Sequence, residues 1–218
     1  MKKLLMVVSG ASALTLADGT SHPTGFWAEE VVESVRVLRE AGVEVTVATP
    51  GGVVPTVDKA SLDGRFDEVV ASLEDLRAPA DLTSMKAENF DAIYLPGGHG
   101  PMADLAFDKT LGALLADFAD NGKLVAALCH GPAGLLSAVR PDGTFVFAGK
   151  EMAVFSDEEE RQGGLDVPYS VAVRLTELGA KLVAGEPWSS TVVVDGGLVT
   201  GQNPQSTVAT ATRVASML

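Results

Sequence analysis

Cys129 and His130 stand side by side in KLVAALCHGPAGLL, residues 123–136, and Cys129 is the only cysteine in the chain. A free cysteine is a small hydrophobe and is often simply buried. Here the residues that follow, His130, Gly131 and Pro132, suit a sharp turn better than a strand running on into core. A side chain on such a turn, between a buried strand and a helix, is held out of the sheet on strained backbone. Helix N-terminal amides facing the sulfur would favour thiolate, so the expected chemistry is nucleophilic attack on an electrophilic carbon. His130 can serve the same substrate as general acid or base, and it needs an acid to orient its second ring nitrogen. The candidates are Asp157, Glu158, Glu159 and Glu160 in FSDEEERQGG, among which periodicity does not choose. The same cluster is what a solvated helix start looks like.

Two more stretches carry candidates. In LPGGHG, residues 95–100, paired glycines let backbone amides approach a ligand, and the Gly98 amide with that of His130 would form an oxyanion hole. In TGFWAEE, residues 24–30, Glu29 and Glu30 open a helix, where carboxylates suit the dipole. One of the two could instead face inward as a proton carrier, with Phe26 and Trp27 either walling a pocket or filling core.

The elements that must position these residues follow from the hydrophobic pattern. KKLLMVVS reads as a buried strand and is followed by a polar loop over residues 9–25. WAEEVVESVRVLREAG has Val31, Val35 and Leu38 at helical spacing and ends at Gly42, and VEVTVATP then alternates as a second strand. This strand, helix, strand unit implies a right-handed crossover between parallel neighbours. Residues 51–88 form a less regular excursion, with DEVVASLEDL as a short amphipathic helix, and could act as a small cap. FDAIYLPGGHGPM returns to a strand, TLGALLADFADNGK supplies a helix, LVAALC is a strand buried on both faces, and GPAGLLSAV begins the helix after it. A helical VPYSVAVRLTELGA, the short strands KLVAG, TVVVDG and GLVTG, and a helix from about Pro204 to Met217 complete the chain. Residues 1–218 thus read as one α/β domain, a mainly parallel sheet with helices on both faces. Such sheets build their sites at the carboxyl ends of strands, where the three stretches above converge.

The bulk numbers bound the partners. With 218 residues and 46% apolar composition the chain can bury a substantial core. A formal net charge of -13 argues against nucleic acid and anionic membrane and leaves small molecules. One cysteine makes no internal disulfide, and His22, His99 and His130 lack the sequence spacing of metal ligands, so no metal is expected. A reducing, cytoplasmic location fits this usage. The N-terminal MKKLLMVVSGASALTLADG imitates a secretory signal, but cleavage there would remove the expected first strand.

Taken together, TGFWAEE, GGHGPM, ALCHGPAGLL, FSDEEE and VTGQNPQS resemble the ThiJ/PfpI superfamily over nearly the whole chain, and within it the glyoxalase III-like branch, also described as heat-shock chaperones. The resemblance implies a flavodoxin-like three-layer sandwich related to the glutamine amidotransferase domain. It implies Cys129 as nucleophile, His130 beside it, Glu30 as the carboxyl that hydrogen-bonds the thiol, Glu160 as the third catalytic acid, and Gly98 as an amide donor. Trp27, His99 and Asn203 would belong to the substrate pocket, Asn203 at its rim. The implied activity is conversion of methylglyoxal and related dicarbonyls to hydroxy acids such as D-lactate, with no cofactor, by a protein that could be a homodimer. Deglycation and amide or peptide hydrolysis use the same nucleophile, whereas a redox sensor or holding chaperone would not be an enzyme. The chain is shorter than chaperone-type members, whose extra segments form a lid or second small domain. Only residues 51–88 could take that part.

Overall fold

The computed structural model describes residues 1–218. The first strand, β1 (Lys3–Val7), is apolar on both faces because it lies in the middle of the central sheet. Its residues alternate between two cores: Leu4 and Met6 pack on one side, Leu5 and Val7 on the other. The loop expected over residues 9–25 contains a small antiparallel hairpin, β2 (Ala13–Thr15) and β3 (Ser21–Pro23). Helix α1 (Ala28–Glu40) follows, with Val31, Val35 and Leu38 turned to the sheet, and leads into β4 (Glu44–Thr49), parallel to β1.

Residues 51–88 hold short 3-10 turns and two short helices, α2 (Asp67–Ser72) and α3 (Glu74–Arg77), where the sequence suggested one. The break falls at Leu73, which adopts extended backbone between them. This stretch is only partly an excursion, because β5 (Ala80–Asp81) joins the edge of the central sheet beside β4. Its start lies against the loop that precedes α1, through Phe26 N–H to Thr56 O and Asp58 N–H to Phe26 O.

Next come β6 (Ala92–Leu95), the one-turn α4 (Gly100–Ala103), α5 (Lys109–Asp120) and the fully buried β7 (Leu124–Leu128). The helix expected from Gly131 is a 3-10 run, Gly131–Ser137, not an α-helix. Gly131 lies so close to β6 that a β-carbon there would come within 2.0 Å of Leu95 O, and Pro132 sits in the first turn, where its missing N–H costs nothing. A two-stranded pair of β8 (Glu151–Met152) and β9 (Lys181–Leu182) brackets α6 (Asp157–Gly163) and α7 (Val171–Glu177). The chain ends with β10 (Val192–Asp195), β11 (Leu198–Gly201) and α8 (Thr207–Met217).

The central sheet has the order β10-β11-β7-β6-β1-β4-β5, parallel except for β10 against β11. Helices α1 and α8 cover one face, and α5, the 3-10 run after β7 and α7 cover the other, which is the flavodoxin-like arrangement expected. Each fully buried Leu or Ile in these layers contributes roughly 2 kcal/mol. The register decides where the chemistry sits. Leu95 pairs with Ala127, so the Pro96, Gly97, Gly98 turn and the Cys129, His130 turn leave the sheet side by side. The chain reverses its direction of strand addition between β1 and β6, and the crevice beyond those strand ends is where such sheets bind ligands.

Gly131→Ala is expected to lower unfolding free energy by about 3 kcal/mol, since the added methyl meets backbone of β6 that cannot move aside. Urea denaturation measures this, and a loss under about 1 kcal/mol would show that the two turns are not held as tightly as the contact implies.

Candidate active site

Cys129 ends β7 with φ 59, a left-handed backbone that costs a non-glycine residue about 1–3 kcal/mol. The strain is held from both sides: Cys129 N–H donates to Gly201 O at 3.0 Å, and Phe155 N–H donates to Cys129 O at 3.0 Å. The side chain is 3% exposed. The backbone amides of His130 and Gly98 both face the sulfur and favour its ionised form. Gly98 reaches this position with φ +89, and a β-carbon on it would lie 2.3 Å from Gly25 O. A β-carbon on Gly97 would lie 2.7 Å from His130 N, so both glycines of LPGGHG are required by close approach.

Glu30, in the first turn of α1, is wholly buried. Its Oε2 accepts the Gly97 N–H at 2.6 Å, while Trp27 N–H donates to Gly97 O at 3.0 Å. The peptide groups around Gly97 therefore lock the start of α1 to the end of β6. Its Oε1 is buried without a hydrogen-bond partner, and the Cys129 thiol is the neighbouring group that acts on the carboxyl. Glu29 points elsewhere, toward the charges of Arg65, Glu33 and Asp63.

Burial pushes the Glu30 carboxyl up to about 8, against the pull of the Gly97 amide and the thiol. Burial also pushes the Cys129 thiol up, and the Glu30 charge adds to it; the His130 and Gly98 amides oppose this without reversing it. The expectation that amides alone would favour thiolate is thus corrected. The segment after Cys129 is a short 3-10 run and the residue is almost wholly buried, so desolvation outweighs two N–H groups. At neutral pH Glu30 keeps its proton and can give it to the sulfur as a hydrogen bond.

His130 touches its neighbour's sulfur, Nδ1 to Sγ 3.5 Å. Its Nε2 lies 2.7 Å from Glu160 Oε2, and its ring is sandwiched between His99 at 4.3 Å and Phe155 at 4.5 Å. Burial, then the neighbouring His99, lower the basicity of His130 in spite of Glu160. Burial works to raise Glu160, but the hydrogen bonds of His130 and then His99 hold it down at about 2. A neutral His130 beside an ionised Glu160 carries its proton on Nε2, which leaves Nδ1 as an acceptor facing the thiol.

The other acids of FSDEEE are spent on structure. Asp157 accepts from Ser170, and Glu158 pairs with Arg161 and Gln162. Glu159 is buried and forms a capping box with Ser156 at the start of α6. It also accepts from Trp188 N–H, Gln202 and Asn203. Asn203 is thereby corrected: it is buried against Glu159 and Ser189 O, and Pro204 lines the cavity in its place. Trp27 and His99 do line the cavity, whose volume is about 290 Å³. Sequence reasoning missed Trp188 and the stacking of Phe155 on His130, together with His22 and Asp58. No motif marks Trp188, His22 or Asp58, and although Phe155 opens FSDEEE, only the fold stacks it on His130.

His99, His130 and Glu160 offer ligand atoms within 4.8 Å of one another, a set that sequence spacing concealed. They fit a resident metal poorly. Glu160 and His130 Nε2 already share a short hydrogen bond, and His99 Nδ1 is buried with no acceptor behind it, whereas a ligating histidine needs one. No helix is long and apolar enough to cross a membrane.

The model of the DJ-1/PfpI family matches residues 22–162. Glyoxalase 3 of Candida albicans is 30% identical over 234 residues, covering 97% of this chain and 96% of that protein. The crystal structure of glyoxalase III from the same organism superposes with a TM-score of 0.82 at 27% identity, over 99% of this chain and 96% of that one. The protein/nucleic acid deglycase HchA of Pseudomonas aeruginosa is 30% identical over 224 residues, 93% of this chain and 76% of that protein. The Rapid Encystment Protein 24 kDa of Francisella tularensis superposes with a TM-score of 0.90 at 26% identity, over 99% of this chain and 98% of that one. A relative named for action on nucleic acid gives no support to the exclusion of nucleic acid drawn from net charge.

The raised Glu30 carboxyl carries a stability signature. It binds a proton more tightly folded than unfolded, so it costs stability as pH rises from about 4.5 toward 8. Glu30→Gln removes that cost, and the Tm difference between variant and wild type is expected to grow in the variant's favour from pH 5 to pH 8. A difference that stays flat across this range would show that Glu30 ionises normally.

Proposed function

The chain belongs to the DJ-1/PfpI family, and on that premise we propose that it is a cofactor-independent glyoxalase, which converts methylglyoxal and related 2-oxoaldehydes to 2-hydroxy acids through a Cys129 hemithioacetal. The observation that carries this reading is the buried Cys129 with His130 Nδ1 at 3.5 Å from its sulfur, the His130 and Gly98 amides facing it, and the buried Glu30 fixed to the neighbouring Gly97 turn.

The proton traffic closes on itself. Sulfur adds to the aldehyde carbon, the thiol proton passes to His130 Nδ1, and the Glu30 proton passes to the aldehyde oxygen. The Gly98 and His130 amides hold charge developing on oxygen. Glu30, now a carboxylate, takes the proton from that carbon while His130 returns its proton to the keto oxygen, giving an enediol. Glu30 then protonates the second carbon and His130 accepts the hydroxyl proton of the first, which leaves a thioester. Water attacks it, losing a proton to Glu30. The sulfur departs with the proton from His130, and the site is restored. Glu160 stabilises each imidazolium state through Nε2.

A second reading, removal of dicarbonyl adducts from protein or nucleic acid, is favoured by the HchA relatives and uses the same residues. Purified adduct free of methylglyoxal separates the two.

Wild-type protein given methylglyoxal, without glutathione or added metal, is expected to yield one D-lactate per substrate consumed. Its kcat/KM is expected to fall as pH rises through about 8 and Glu30 loses its proton. Folded Cys129→Ala is expected to lose at least about 10³-fold. Substantial turnover in that variant would overturn the mechanism.

A further inference from the structure

Trp188 is the second non-glycine residue with left-handed backbone, φ 59, and for so bulky a side chain this is a true outlier. The fold holds it there deliberately. Its N–H donates to Glu159 Oε1 at 2.8 Å, its indole Nε1–H donates to Gln162 Oε1 at 2.5 Å, and its ring meets Phe155 edge-on at 5.5 Å. Glu159, the buried acceptor, is itself fixed by Ser156 and Asn203. An indole that remains 39% exposed is thus fastened at three points over the cavity that contains Cys129, opposite no bulky partner of its own beyond Phe155. Trp27 lines the same cavity. None of its lining residues is Lys or Arg, and two, Asp58 and Glu160, are acidic. A volume of about 290 Å³ exceeds what a three-carbon aldehyde fills.

The geometry points to Trp188, with Phe155 and Trp27, as the specificity-determining wall of the site, selecting carbonyl substrates that carry a neutral, flat, apolar substituent and rejecting anionic ones. The aromatic faces gain from stacking and from burying an apolar group, and a carboxylate or phosphate would enter a cavity with two acidic side chains and no Lys or Arg to meet it. This rests on the carbonyl chemistry proposed above but concerns the part of the substrate that does not react.

The test compares phenylglyoxal, followed as mandelate, with methylglyoxal, followed as lactate. Wild type is expected to favour phenylglyoxal in kcat/KM by about tenfold. Trp188→Phe is expected to keep most of that preference. Trp188→Gly, which also relieves the backbone strain, is expected to abolish it; the readout is the ratio of the two kcat/KM values, which a general loss of activity does not move. An unchanged ratio in Trp188→Gly overturns the proposal. If neither aldehyde is turned over, the glyoxalase reading fails and selection is read from binding to Cys129→Ala. The chain's two tryptophans both line the cavity, so their fluorescence reports occupancy. Acetophenone is expected to quench it at concentrations where benzoate does not, and adding Trp188→Gly is expected to weaken acetophenone about tenfold, read from Trp27. Equal binding of benzoate, or undiminished binding of acetophenone by the double variant, overturns the proposal.

Discussion

A buried carboxyl group is the constraint on which the site depends. Glu30 has one oxygen fixed by the Gly97 amide and the other left without a hydrogen bond beside the Cys129 thiol, which lines the cavity while staying 3% exposed. Ionising either one there is opposed by burial, and ionising both sets like charges against each other. The surrounding backbone reads as the means of enforcing that contact. Gly97 and Gly98 let the end of β6 approach both α1 and the Cys129 turn, Gly131 lets the chain leave β7 against β6, and the left-handed Cys129 aims the sulfur at Glu30.

Two glutamates near one histidine and one thiol end up in opposite states, and that separation assigns their work. Glu160, at the mouth of the cavity with two histidine donors, stays ionised down to about 2; Glu30, wholly buried, keeps its proton up to about 8. Their adjacent residues show how little sequence distance such roles require. Glu159, one position from Glu160, faces the other side of α6 and ties the 185–189 loop and Gln202 to the helix start. The acid that orients His130 and the tryptophan that overhangs the cavity are therefore positioned by one buried carboxylate.

Much of this was legible in the sequence because it rests on local rules. The apolar runs of β1, β6 and β7, the helical spacing of α1, and the glycines at strand ends each state their structure within a few residues, and the rule for parallel sheets brings the ends together. Cys129, His130 and Gly98 follow from that alone, whereas Trp27 was left between pocket wall and core. Choosing Glu30 over Glu29 and Glu160 over its neighbours needed the family resemblance, since only the fold decides which face of a helix turn meets the site. The run after His130 was read as a helix without its 3-10 form, and the need for glycine at 131 is set by a long-range approach to Leu95 O that no local pattern shows. Asn203 was placed at the cavity for its motif, while its amide is consumed by a buried partner that no spacing reveals. Trp188 gave no signal, being set by backbone strain in an irregular loop.

The central claim is that Glu30 holds a proton at neutral pH, and infrared spectroscopy reads that proton without reference to any substrate. The difference spectrum of wild type minus Glu30→Gln is predicted to show a protonated-carboxyl C=O band at pH 7, which titrates away near pH 8. If the band is lost below about pH 5, as for an ordinary glutamate, the account of the site is wrong.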